Sequence, residues 1–204
     1  MKLIIIAGMP ASGKSTVAEK LSRHFGWPVL EKDAIKEELF DTIGFTNYAE
    51  KRRLDVAATA VLLRCADAML TSGTSFIMVN NFRADMQDTV QELLNRHACM
   101  CVTLFFQGDA DVFYRRYVER DLRHARHLGH VLQDHYPPRP GDSHDYTMTR
   151  EEFTDKFEKL GMDRFTLSGS RIAVDATYPE NIDVPRLIEA IEEKLNTEPT
   201  EPGE

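Results

Sequence analysis

The 204 residues fit one domain, and a hydrophobic content of 42% can fill a core of that size. The formal net charge is −8, with 33 acidic against 25 basic side chains. This balance argues against a general nucleic-acid binder, so we expect no nucleic-acid partner.

The cysteines and the apolar runs indicate the cellular compartment in which we expect this protein. The three cysteines are odd in number, which fits buried thiols better than a disulfide framework: Cys65, Cys99 and Cys101. No apolar run approaches the length of a membrane span, and none has the form of a signal peptide. We therefore expect a cytoplasmic protein with no membrane contact.

The first predicted element is a short apolar strand at 3–7, followed at once by the loop "GMPASGKST" (8–16). Four residues meet the spacing G-x-x-x-x-G-K-[ST]: Gly8, Gly13, Lys14 and Ser15. An amphipathic helix is predicted next, over 14–25. In this context the backbone N–H groups can turn inward toward a phosphate at the helix N-terminus. We favour a nucleoside triphosphate site over an ordinary strand–helix turn.

The loop has the groups that hold a nucleotide and Mg²⁺. We assign nucleotide contacts to seven residues: Gly8, Ala11, Ser12, Gly13, Lys14, Ser15 and Thr16. Lys14 would reach the β- and γ-phosphates, and we count it as catalytic. The Ser15 hydroxyl would complete the Mg²⁺ shell.

The rest of the chain alternates apolar strands with helical patterns, which indicates a parallel sheet covered on both faces. The other strands are predicted at 28–31, 75–80, 100–106 and 171–176. The other helices are predicted at 34–43, 48–72, 84–97, 109–123, 149–160 and 183–196. We place one domain over 1–196 and expect the acidic, proline-containing tail 197–204 to be disordered.

Asp33 follows the second strand, at the edge where open α/β sheets bind ligands. A carboxylate there can accept a proton from an acceptor hydroxyl, or hold a water on Mg²⁺. Asp33 is also a good N-cap for the next helix, and the two roles are compatible. We assign Asp33 to catalysis and substrate binding, with helix capping alone as the alternative.

The third strand ends in Asn80 and Asn81, where a Walker B motif would have an Asp. These amides could hydrogen-bond a substrate or a metal-bound water, although Asn is also a common strand terminator. We assign Asn81 to substrate binding. The missing acid argues against an energy-coupling ATPase, which needs an acid to hold Mg²⁺ and polarise water.

Four arginines follow the fourth strand. Arg116 and Arg120 are four residues apart and share one helix face, and Arg123 and Arg126 continue beyond them. Guanidinium groups suit bidentate phosphate contacts, so we expect at least one of the four to contact the nucleotide. We assign Arg123 and Arg126 to the substrate. The alternative is a solvated face on which the arginines pair with nearby carboxylates.

The segment 120–144 is basic, with four arginines, five of the seven histidines and three prolines. Both a lid over a phosphate site and a solvated loop have this composition, and its position after a strand–helix unit favours the lid. His124, His127 and His130 are three residues apart, but no cysteine or carboxylate cluster completes a metal shell. We favour a phosphate- or substrate-facing basic loop over a metal site.

Taken together, these segments resemble the ATP-binding kinases of the P-loop kinase superfamily. The resemblance depends on "GMPASGKST", "KDAIKEELFDTIG", "VNNF", "GDADVFYRRYVER" and "RHLGH". The superfamily includes gluconate kinase, chloramphenicol phosphotransferase, zeta toxins and polynucleotide kinases. The resemblance covers about residues 1–195.

The resemblance implies a P-loop NTPase fold, an α/β/α sandwich in three layers around a five-stranded parallel sheet in the order 2-3-1-4-5. A helical insert at 48–72 and a lid at about 120–144 complete the domain. It also implies ATP as donor with Mg²⁺, and Asp33 as the base. The R-x-x-x-R arginines of the superfamily correspond to Arg116, assigned to the nucleotide, and Arg120, assigned to catalysis.

We therefore expect an ATP-dependent kinase that moves the γ-phosphate to a hydroxyl of a small-molecule acceptor. Two alternatives stay open: a 5′-hydroxyl polynucleotide kinase, and a nucleotide-binding switch with little transfer activity. The sequence does not specify the acceptor, because the insert at 48–72 indicates mainly apolar packing. The residues expected to pack are Val56, Ala60, Leu63, Ala66 and Leu70.

Overall fold

The computed structural model describes residues 1–123, 126–143 and 148–196, and the predicted disorder of 197–204 concerns residues outside these ranges. Within them, one sheet contains β1 (Lys2–Gly8), β2 (Val29–Glu31), β3 (Phe76–Val79), β4 (Met100–Gln107) and β5 (Ser170–Asp175). All neighbouring strands are parallel, and their order is β2-β3-β1-β4-β5. The fold class and strand order are confirmed.

Helices cover both faces of this sheet. Their bounds are α1 (Lys14–Phe25), α2 (Lys32–Ile43), α3 (Tyr48–Thr71), α4 (Gln87–His97), α5 (Ala110–Leu122), α6 (Leu128–Val131), α7 (Arg150–Lys159) and α8 (Val184–Asn196). The short helix α6 was not predicted. Across the described ranges, no helix combines the length and apolarity needed to cross a bilayer.

The central strand β1 explains the continuous apolar runs in the sequence. Ile4 and Ile6 pack into the cluster under α1, α5, α7 and α8, whereas Leu3 and Ile5 pack against α3 and α4. All four side chains are buried. A strand covered on both faces needs apolar residues at successive positions rather than at alternate ones.

The long helix α3 packs in a different register from the one predicted. Its buried apolar stripe recurs every four residues: Leu54, Ala58, Leu62, Ala66 and Leu70. Val56 is 63% exposed and Ala60 is also exposed, so their predicted burial was wrong. The stripe follows one helix face. The polar side chains at the start of α3 are therefore positioned by helix packing and not by a ligand pattern that the sequence displays.

The three cysteines are free thiols, and each is partly buried. Burial raises the pKa of Cys99 to about 11. Burial also raises the pKa of Cys101 far above its usual range. Neither thiol is ionised near neutral pH, which fits the prediction of buried thiols.

Candidate functional site

The phosphate loop has the backbone conformation that an inward-facing set of N–H groups requires. Ala11 and Gly13 have positive φ angles of 60° and 87°, and Gly13 is the N-cap of α1. At Gly8 the φ is 129°, and a Cβ atom would lie 2.2 Å from the carbonyl oxygen of Phe106. Only glycine fits there. Gly8 lies behind the loop's open face and lets β1 and β4 approach closely.

Lys14 points back into the loop. Its side chain is buried, and the ammonium group donates to the carbonyl oxygens of Met9, at 2.6 Å, and Gly8, at 3.1 Å. Burial lowers the pKa of Lys14 to about 7; Asp33 and Glu31 oppose this shift, and Arg120 adds to it. The lysine side chain is therefore held at the loop and does not extend into solvent. Charged groups on β2, α2 and α5 affect its pKa.

A carboxylate that the sequence did not single out contacts the loop. The Ser15 hydroxyl donates to Glu31 Oε1 at 2.5 Å. Burial raises the pKa of Glu31, although the hydrogen bond from Ser15 lowers it in part. Glu31 ends β2, two residues before Asp33, and that position at the carboxyl edge of the sheet is the signal that could have identified it.

One cleft of about 440 Å³ joins the loop to most of the predicted site. Loop residues 10–16 form one wall. The other predicted site residues that line the cleft are Asp33, Asn81, Arg116, Arg120 and Arg126. Asn80 lines it too. The structure does not bring Arg123 there.

The four arginines have different surroundings. Arg120 faces the cleft, and its buried Nε has no hydrogen-bond partner among the described residues. Arg116 donates to the carbonyl oxygens of Ala176, at 3.0 Å, and Thr177, and so ties α5 to the end of β5.

The other two arginines, Arg123 and Arg126, follow the C-terminal end of α5. Arg126 donates to the Tyr117 hydroxyl at 2.6 Å and pairs with Asp121 at 3.3 Å. Arg123 pairs with Glu119, and its side chain is 73% exposed. The solvated-face alternative therefore describes Arg123 alone.

Asp33 is the second residue of α2 and is not its N-cap. The cap position is Glu31, and its side chain makes no capping hydrogen bond. The capping alternative for Asp33 was wrong, because the helix begins two residues earlier than a cap at Asp33 requires. The carboxylate is partly buried at the cleft. Burial raises its pKa, but the positive groups of His130, Lys32, Lys36 and Arg126 outweigh that effect and hold the pKa of Asp33 below its usual range.

Basic residues from three helices line the cleft beside Asp33, and none of them was predicted as a site residue. They are Lys32 and Lys36 of α2, Arg52 of α3 and Lys156 of α7. Asp55 of α3 pairs with Lys32, with Lys36 at 2.8 Å and with Arg52 at 3.7 Å. Lys32 and Lys36 are close to Asp33 in the chain, but Arg52, Asp55 and Lys156 lie on other helices, so no single local motif contains the whole set.

The described part of the predicted lid, 126–143, is fastened to α2 and α3. Lys51 donates to the carbonyl oxygens of His130 and Leu132, at 3.0 and 2.5 Å. His130 pairs with Glu37 at 2.9 Å, and His127 with Asp41 at 3.1 Å. The lid's predicted start at Arg120 belongs to α5.

Of the three histidines that are spaced like metal ligands, the structure describes His127 and His130. His124 and His144 lie outside the described residues. Among the residues that are described, no group of three or more His, Cys, Asp or Glu side chains could hold a metal ion. His127 and His130 instead contact carboxylates of α2.

A family model described as an AAA domain matches residues 3–135, which contain the phosphate loop, Asp33 and the arginines of α5. The chain belongs to the AAA domain family. Its resemblance to the P-loop kinase superfamily is confirmed. No curated protein matches the chain.

Solved structures of similar fold include several kinases. A "putative kinase" from Chloroflexus aurantiacus J-10-fl is 29% identical, with a TM-score of 0.77 over 95% of this chain and 97% of that chain. A gluconokinase from Sinorhizobium meliloti 1021 is 16% identical, with a TM-score of 0.54 over 95% of this chain and 91% of that chain. A sugar kinase from Janibacter sp. HTCC2649 is 18% identical, with a TM-score of 0.55 over 98% and 96%. The last two likenesses concern the fold alone.

Proposed function

We propose that this chain is an ATP-dependent kinase that transfers the γ-phosphoryl group to a hydroxyl of a small-molecule acceptor, with Asp33 as general base. One observation carries the proposal: the phosphate loop and Asp33 face the same cleft, and the Asp33 carboxylate raises the pKa of Lys14 in that loop. The likeness to the Chloroflexus kinase supports the same activity.

The residues present fit a triphosphate and Mg²⁺. The loop's positive φ angles turn N–H groups toward one point, and the buried Nε of Arg120 lacks a partner that an anion would supply. Lys14 and Arg120 would hold the phosphates. Ser15 would be the Mg²⁺ ligand, with Glu31 beside it. When bound, the metal neutralises the charge that develops on the transferred group.

Asp33 would receive the acceptor's proton. The basic groups beside it keep the carboxylate ionised at neutral pH, so that it can accept a hydrogen bond from the acceptor hydroxyl. As the acceptor's hydroxyl oxygen forms its bond to the γ-phosphorus, the bond from that phosphorus to the bridging oxygen breaks, ADP leaves with the bridging oxygen, and the hydroxyl proton passes to the Asp33 carboxylate. Asn81 and Arg126 line the same cleft and would orient the acceptor.

Transfer of ³²P from labelled ATP, with Mg²⁺, to a panel of hydroxyl compounds and 5′-hydroxyl oligonucleotides tests the proposal. We expect a labelled small molecule, and no retention of a 20-mer oligonucleotide at about 0.15 M salt. A labelled oligonucleotide would instead identify a polynucleotide kinase. Tight ATP binding with no labelled product from any acceptor would identify a nucleotide switch.

A further inference from the structure

A second pocket of about 360 Å³ opens from the Asp33 side of the cleft. The two cavities share wall residues, among them Lys36, Arg126 and His130. Those three side chains also act on the pKa of Asp33. Lys51 and Gln133 line the second cavity and not the cleft at the phosphate loop. We call this second cavity the basic pocket.

Positive charge exceeds negative charge around the basic pocket. Six cationic side chains face it or the carboxylate in its wall: Lys32, Lys36, Lys51, Arg52, Arg126 and Lys156. Four carboxylates pair with or face this group: Asp33, Glu37, Asp55 and Asp121. With His130 neutral and Lys51 protonated, the state that a bound anion favours, the described residues leave an excess of two positive charges.

Lys51 contributes one of the positive charges that no carboxylate of the described residues pairs with. Its side chain is buried, and no carboxylate of the described chain lies within 4.0 Å of its ammonium group. Two of its three N–H donors bind the carbonyl oxygens of His130 and Leu132, and the ammonium group also lies 5.6 Å from the centre of the Phe45 ring. Burial lowers the pKa of Lys51 to about 7, and repulsion from Lys36, Arg126 and Lys156 adds to the shift.

Lys156 of α7 also lines the pocket, although it is more exposed to solvent than Lys51. Desolvation of its charge lowers its pKa, and Arg126, Lys36 and Arg52 lower it further. Cations on α2, α3, α7 and the lid thus repel one another across a cavity large enough for a small ligand. An anion in the pocket would remove this repulsion.

We propose that the basic pocket binds a phosphate ester on the acceptor, so that the substrate is a phosphorylated small-molecule alcohol whose free hydroxyl faces Asp33. A phosphate monoester carries about −1.5 to −2 charges at pH 7, which matches the excess, whereas a carboxylate supplies only one. This inference rests on the proposed function and adds the acceptor's chemical class to it.

Calorimetric titration in saturating ADP and Mg²⁺ tests the inference, because the nucleotide then occupies the phosphate loop. The probes are two matched sets: glucose, gluconate and glucose 6-phosphate, and glycerol, glycerate and glycerol 3-phosphate. We expect at least one phosphate ester to bind about tenfold or more tightly than its alcohol and its carboxylate. Equal affinity within both sets, or no binding of either ester, overturns the proposal.

Two lysines on α7 provide a matched pair of variants. Lys156→Gln removes a pocket cation, whereas Lys159→Gln removes a lysine that pairs with Asp155 and is 76% exposed. We expect Lys156→Gln to weaken ester binding about tenfold and Lys159→Gln to leave it unchanged. An equal effect of the two overturns the assignment of the pocket.

Proton uptake gives a second readout. An anion raises the pKa of Lys51, so ester binding at pH 7.5 should take up a proton, measured as a dependence of the binding heat on the buffer's ionisation enthalpy. Lys51→Gln should abolish that dependence, and uptake that persists unchanged contradicts the proposal. All of these experiments measure ester binding and not phosphoryl transfer. Ester binding without phosphoryl transfer would therefore refute the proposed function and leave this inference standing.

Discussion

The Ser15 hydroxyl donates a hydrogen bond to the Glu31 carboxylate and so joins the phosphate loop to the end of β2. Ser15 is the residue that we expect to contact Mg²⁺, and β3 is followed by Asn80 and Asn81 rather than by an acid. Glu31 would therefore orient the Ser15 hydroxyl toward a bound Mg²⁺. Outer partners of this kind commonly affect metal affinity by about 10–100-fold.

Glu31→Gln should raise the Mg²⁺ concentration that gives half-maximal transfer by about tenfold, because the amide no longer orients the Ser15 hydroxyl as a charged acceptor. The measurement is a Mg²⁺ titration of initial rates at saturating ATP. Glu19→Gln is the control, since Glu19 lies on the exposed face of α1 and pairs with Arg23. An unchanged Mg²⁺ requirement would show that Glu31 has no part in the metal site.

Asp33→Asn should lower the transfer rate by about 10²–10⁴-fold, the usual range for removal of a general base. ATP affinity should change little, because Asp33 faces the acceptor side. The unfolding free energy should fall at neutral pH, because the depressed pKa of Asp33 means that its carboxylate stabilises the fold, but no helix cap is lost.

Single-turnover rates and urea unfolding measure these two effects for Asp33→Asn. Asp85→Asn serves as control at an exposed ion pair with Arg83. Retained activity in Asp33→Asn would exclude the base.

Arg120→Gln should slow transfer by about 10²-fold, as removal of one charge-stabilising donor does in other enzymes. Arg123→Gln should have no effect, because Arg123 is exposed and paired with Glu119. The two arginines lie one turn apart, so the comparison keeps the local sequence almost constant. Steady-state rates with ATP measure both, and equal rates would remove Arg120 from the site.

Asp55→Asn should destabilise the fold at neutral pH by about 3 kcal/mol, because Lys32, Lys36 and Arg52 lose their shared carboxylate. Burial raises the pKa of Asp55, but Lys32 and Lys36 outweigh it and hold that pKa far below its usual range. A depressed carboxyl pKa contributes stability above the unfolded value of about 3.9 and loses it as the pH falls further.

The difference in unfolding free energy between the native chain and Asp55→Asn should therefore be constant from pH 7 to about pH 5, and should shrink below about pH 4. Urea unfolding at several pH values measures it. Asp155→Asn, at an exposed pair with Lys159, should stay within about 0.5 kcal/mol throughout. A pH-independent difference would show that charge is not what Asp55 contributes.

The sequence alone determined the features that depend on residues close together in the chain. The spacing of Gly8, Gly13, Lys14 and Ser15 is a local property, and so is the backbone conformation of the loop. Continuous apolar runs predicted the buried parallel strands, because a strand covered on both faces tolerates no polar alternation. Asp33 could be placed at the ligand-binding edge since it directly follows β2.

Only the tertiary structure decided which side chains from distant elements meet. The sequence gives the same arginine at 120 and at 123, but packing of α5 turns one into the cleft and leaves the other in water. The register of α3 against the core directs Lys51 and Arg52 toward the cavities. Lys156 joins them from more than a hundred residues away. Charge excess is a sum over neighbours in space, and no local pattern in the chain encodes that sum.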